Sequence, residues 1–88
     1  MSGFLGQVPE EVEALGAEFD SKAGEVETLV QTLTQRLAAT TWRGADREAF
    51  EASWSGEITN NLAQLANSLR EAGQIANTNA QQQRTASA

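Results

Sequence analysis

Cysteine, histidine and tyrosine are all missing from this chain of 88 residues, and proline occurs once. Without cysteine there is no disulfide and no thiolate metal site to reinforce so small a domain. Without histidine or cysteine, neither a Ser-His-Asp nor a Cys-His nucleophile can be assembled, and the Glu-x-x-His pairs of a di-metal bundle cannot be built. Basic residues are few: six Lys and Arg stand against twelve Asp and Glu, a formal charge of -6. That balance argues against nucleic acid and against anionic membrane surfaces, both of which attract clustered cations. No apolar run approaches the roughly 20 residues that span a bilayer. Met1 to Gln7 has no basic start and offers only Phe4 and Leu5 as large apolar residues, so no Sec-type leader is expected.

What is present is helical periodicity. Pro9 followed by Glu10, Glu11 and Glu13 reads as a helix's first turn, where proline forfeits no needed N–H and acids meet the positive end of the dipole. From there apolar residues recur at three and four: Val12, Leu15, Phe19, Val26, Leu29 and Leu33, with Ala23, Val30 and Leu37 widening the stripe. Lys22 interrupts the stripe, its stem able to cover apolar surface while its charge reaches Glu18 one turn earlier. Periodicity fails at Ala39-Thr40-Thr41-Trp42-Arg43-Gly44, where the chain turns. Asp46 then serves as N-cap or first-turn acid of a second helix with the stripe Phe50, Trp54, Ile58, Leu62, Leu65, Leu69, Ala72 and Ala76.

These signals predict an all-α antiparallel two-helix hairpin as one domain over 1–88: helix one at about 9–40, a turn at 41–45, helix two at about 46–77, and a flexible tail at 78–88, which lacks any large apolar residue. Helices of about 30 residues extend about 45 Å. Two of them leave much of each stripe wet, since Val26, Leu29, Val30, Leu33 and Leu37 span more arc than one facing helix covers. Gly16, Gly24, Gly56 and Gly73 each add about 1 kcal/mol of cost in a helix interior. A lone hairpin is therefore marginal, and two hairpins forming a four-helix bundle bury what one cannot. Phe19, Val26, Val30, Leu33, Leu37, Phe50, Trp54, Ile58, Leu62, Leu65 and Leu69 are the expected core and partner interface.

Catalysis has little to stand on. The carboxylate pairs Glu48/Glu51 and Glu10/Glu13 lie off the apolar stripes and read as solvated, and Gly3-x-x-Gly6 has no preceding strand. The chain is expected to be no enzyme, with no cofactor and no metal. Trp42 is more informative, since it sits at the tip of the hairpin where little of the chain can cover an indole. It either folds back to plug the open end of the bundle or offers a recognition surface.

Trp42-Arg43-Gly44 midway along the chain, between two amphipathic helices, resembles the WXG family of type VII secretion substrates, and in particular its ESAT-like subunits. The continuation Ala45-Asp46-Arg47-Glu48-Ala49-Phe50 with Trp54, the opening Pro9-Glu10-Glu11 and the stretch Leu69-Arg70-Glu71-Ala72-Gly73-Gln74 share that look, so the likeness covers essentially the whole chain. It implies a hairpin that pairs with a homologous subunit as an antiparallel four-helix bundle. It further implies export, folded and without a cleaved leader, from the cytoplasm through a machine driven by the type VII secretion ATPase. Trp42 and Gly44 take the W-x-G roles, one half of a composite export signal whose turn lies near the partner's C-terminal helix end. The family's other signal, Tyr-x-x-x-Asp/Glu after helix two, is absent with tyrosine, which favours a heterodimer with a partner that carries it over a homodimer. A second reading is an intracellular adaptor or chaperone subunit that delivers a larger toxin or effector to the same machine. A membrane-active effector fits the acidic surface least.

Overall fold

The computed structural model describes residues 8–87, and the expectations placed on Met1 to Gln7 and on Ala88 lie outside them. Helix α1 (Pro9–Ala39) forms the first arm, the chain turns through residues 40–44, and α2 (Ala45–Ser53) leads through a π-helical turn (Trp54–Ile58) into α3 (Thr59–Ser87), which completes the longer second arm. No strand occurs among the described residues. The result is a helical hairpin measuring 66 × 18 × 14 Å. Pro9 opens α1 with Glu10 and Glu11 in its first turn and Arg36 in its last, each charge set against the dipole as expected. The N-cap of α2 is Gly44 and its first turn holds Asp46 and Glu48. Asp46 is thus a first-turn acid and no cap.

What holds the two long helices together differs from the expected stripe. The buried apolar residues are Ala23, Trp54, Ala66 and Ala80, and Gly16 and Gly73 are buried with them. Gly16 and Gly73 face each other so closely that a Cβ on Gly16 would stand 2.9 Å from the Gly73 carbonyl oxygen, and one on Gly73 would stand 2.8 Å from that of Gly16. Those glycines are therefore more than a helix cost, because only hydrogen in place of a side chain lets the two backbones approach this far. Moving seven residues toward the turn on each helix brings Ala23 opposite Ala66, so the contact is a heptad seam of small residues.

Seam positions divide the remaining side chains into two sides. Residues four places after a seam position fall on one side: Glu13, Asp20 and Glu27 on α1, Arg70 and Arg84 on α3. Here Arg70 donates to both Glu27 carboxylate oxygens at 2.5 and 2.7 Å and stands 3.8 Å from Asp20, while Arg84 pairs with Glu13 and, at 3.5 Å, with Glu10. Residues one place before or three after a seam position fall on the other side, and these are the large apolar ones.

One boundary needs correction. The sequence reading ends helix two near 77 and leaves 78–88 as a flexible tail, whereas α3 continues to Ser87. Ala80 is fully buried as the next seam residue, and Gln81 and Arg84 hydrogen-bond to Glu13. The segment docks through one methyl group and a charged clasp, neither of which registers as a hydrophobic stripe.

Candidate functional site: the hairpin tip and the open apolar face

The tip is built from the turn outward. Thr40 ends α1, its Oγ1 donating to the Arg36 carbonyl at 2.6 Å. Gly44 adopts φ 109° and ψ -173°, the one positive φ among the described residues, in a region that side-chain-bearing residues rarely enter. Between them Trp42 leans on Phe50 from the start of the second helical arm, ring centroids 5.5 Å apart at an interplanar angle of 50°. Both rings stay exposed, Trp42 at 36% and Phe50 at 45%. Trp42 therefore does not bury itself in the end of the hairpin; it shares an aromatic surface with Phe50.

Arg47 fixes that surface, and sequence reasoning did not single it out. Its Nη1 donates to the Trp42 carbonyl at 3.0 Å and the Thr40 carbonyl at 3.5 Å, and its Nη2 pairs with Glu51 at 3.0 Å. One planar guanidinium so ties the free carbonyls of the turn to the first turns of α2. The only available signal was a lone cation among Asp46, Glu48 and Glu51 just after a turn, a pattern shared with ordinary solvated helix starts.

The π-helical turn follows the tip. It inserts one residue's worth of rotation, a feature that apolar spacing of four at Phe50, Trp54 and Ile58 does not disclose. Trp54 is brought onto the seam at 8% exposure, and its Nε1 donates to Thr34 Oγ1 at 2.8 Å. A buried indole N–H requires such a partner.

The other expected interface residues fall mainly on the side opposite the ion pairs. Phe19, Val26, Val30, Leu37, Leu62 and Leu69 are half-buried along the seam. Leu33, Ile58 and Leu65 are exposed, as are Leu15 and Leu29, at 36% to 52%. Together they form one continuous apolar face along the hairpin that no part of the described chain covers. An open groove on α1 beside it is lined by Ser21, Gly24, Thr28, Leu29, Thr32 and Leu33. Lys22 stands on this face and pairs with Glu25 at 3.2 Å as well as with Glu18 at 3.7 Å, a second partner beyond the one expected.

The electrostatics are those of surface ion pairs. Its hydrogen bond to Arg70 lowers the Glu27 carboxyl below the ordinary glutamate range, and the reciprocal bond raises Arg70. Arg84 is raised by Glu13, and Lys22 by Glu25. No group of three or more acidic or metal-ligating side chains placed to hold a metal occurs among the described residues, and no described helix is long and apolar enough to cross a membrane.

The described chain is thus a helical hairpin with an exposed aromatic pair at its turn and an apolar face that none of its described residues covers. The chain belongs to the WXG100 family, described as proteins of 100 residues with WXG, which it matches over residues 8–86. That family is associated with type VII secretion substrates; its members are small helical secreted proteins, not known as enzymes, that typically form dimers. No curated protein and no solved structure matches the chain.

Proposed function

We propose that the protein is a small type VII secretion substrate that travels as one half of a pair. Its open apolar face docks on a homologous WXG-type subunit, the two hairpins running antiparallel in a four-helix bundle. The pair passes from the cytoplasm through the secretion machine without cleavage of a signal peptide. Trp42 and Gly44 form this chain's share of the export signal, and the partner brings the C-terminal share that a chain without tyrosine lacks. The pair is thus a heterodimer engaged by the type VII secretion ATPase.

The observation that carries this reading is the tip. Gly44 at positive φ and the Arg47 clasp on two turn carbonyls hold Trp42 against Phe50 with both rings open to a partner. A turn with only a structural role has no need to keep two large rings exposed, and aromatic side chains displayed this way are what binding surfaces favour. The same geometry separates recognition from folding, because Trp42 contributes little to the seam. The test is Trp42→Ala, expressed in the native host with the WXG-type subunit that co-purifies with the wild-type chain. Helix content and melting of the complex should be retained while both subunits fail to appear outside the cell. Undiminished secretion would remove the turn from the export signal.

A further inference from the structure

Charge is distributed unevenly about the open face. Glu11, Glu18 and Glu25 are seven residues apart and so line one side of α1. Each stands one turn before Leu15, Lys22 and Leu29 respectively, on the rim of the apolar face, and all three are exposed. The matching rim of α3, Asn61, Ser68, Ile75 and Gln82, holds no ionisable group. Lys22 pairs with Glu18 and Glu25, so three carboxylates less one ammonium leave one long edge of the docking face with two net negative charges, while the other is neutral.

Resting on the antiparallel pairing proposed above, we infer that the partner covering this face is not a second copy of the chain but a hairpin whose first helix carries lysine or arginine along the rim that meets Glu11, Glu18 and Glu25. Two hairpins that meet face to face with their turns at opposite ends place like helix against like helix, antiparallel. In a pair of identical chains the acidic rim then meets itself. The apolar row Val12 to Leu33 has its midpoint near Lys22, and a two-fold axis there brings Glu18 of one copy level with Glu25 of the other, twice per dimer. It also sets the two Lys22 side chains against each other on the apolar face, and joins two chains of charge -6. Like charges opposed across an interface suppress the wrong pairing, and opposite charges select the right one. Cations on the partner's rim offset the negative charge that remains after Lys22 has paired with Glu18 and Glu25, and a neutral or acidic residue opposite Lys22 removes the remaining conflict.

The chain itself supplies the probe. A variant with Glu11→Lys, Glu18→Lys and Glu25→Lys presents the inferred partner's rim on the same apolar face. Sedimentation equilibrium at low ionic strength should find wild type and variant each monomeric at micromolar concentration, and their equimolar mixture a 1:1 dimer bound more than about tenfold tighter than either self-pair. Added salt should narrow that margin, since exposed pairs are screened. The neutral variant Glu11→Gln, Glu18→Gln, Glu25→Gln guards against a folding artefact, and it should self-associate more tightly than wild type. A wild-type homodimer as tight as the mixture, and indifferent to salt, would overturn the inference while leaving the pairing face intact. A mixture that stays monomeric at every salt concentration, with all chains helical, would overturn the pairing face as well.

Discussion

Two surfaces run the length of this hairpin, and they invert the usual relation between size and burial. Where α1 and α3 meet, the buried residues are the smallest available, Gly16, Ala23, Ala66, Gly73 and Ala80, with Trp54 the one large buried side chain at the tip end of the seam, whereas Leu15, Leu29, Leu33 and Leu65 on the open face are roughly half exposed. The seam gains from close backbone approach, many weak dispersion contacts at short range. The face keeps its larger apolar area uncovered, which favours aggregation unless something docks there. Internal cohesion and external binding are thus assigned to different residues on the same helices, and a substitution should disturb one with little effect on the other.

The largest effect is expected at the seam. Gly16→Val forces a side chain against the Gly73 carbonyl, backbone that has no free space to give, and should destabilise the hairpin by about 1–3 kcal/mol despite valine's better helix propensity. Thermal melting by circular dichroism checks it, and a melting temperature at or above wild type would break the seam half of the comparison. Next comes the upper end of the seam. Trp54→Phe deletes the donor to Thr34 and also part of a buried ring system, so it should cost more than the roughly 1 kcal/mol of the hydrogen bond alone. Thr34→Val, which removes the acceptor alone, should cost about 1 kcal/mol, and the double variant no more than Trp54→Phe alone.

The smallest effect belongs to the ion pairs opposite the open face. Arg70 holds the Glu27 carboxyl below its ordinary value, so the folded state binds that proton less readily than the unfolded chain does. This contribution is complete above the unfolded glutamate range and is lost as pH falls through the lower folded value. Melting temperature should therefore decline slightly on acidification. Glu27→Gln should flatten that part of the profile, and an unchanged profile would remove the pair from the account.

The hairpin, its turn and its family were legible because they rest on signals the sequence displays directly: apolar spacing of three and four, Pro9 at a helix start, and Trp42-Arg43-Gly44 at a break in periodicity. The seam was not. Gly16 and Gly73 carry no hydrophobicity, so any reading that weighs apolar side chains counts them as defects, and their value appears only when the two helices lie in register. The same bias groups Leu33 and Leu65 with the half-buried residues as one core and partner interface, without separating the two surfaces, and ends helix two near 77, where Ala80 and Arg84 in fact hold it to α1. The π-helical turn escaped for a different reason, because a single added residue leaves the spacing of Phe50, Trp54 and Ile58 helical to the eye while rotating one indole onto the seam.

The separation of the two surfaces is tested most directly by secretion of a variant that wounds only the open face. Leu29→Glu with Leu65→Glu places a carboxylate at two exposed apolar sites and touches no seam residue. The isolated chain should keep its helix content and melting temperature, because exposed positions away from special contacts seldom shift stability by more than about 0.5 kcal/mol. In the native host, co-expressed with the WXG-type subunit that co-purifies with the wild-type chain, the pair should fail to form and both chains should vanish from the culture medium. A double variant that still pairs and is secreted at the wild-type level would contradict the account, for it would show that the open face is not where the partner binds.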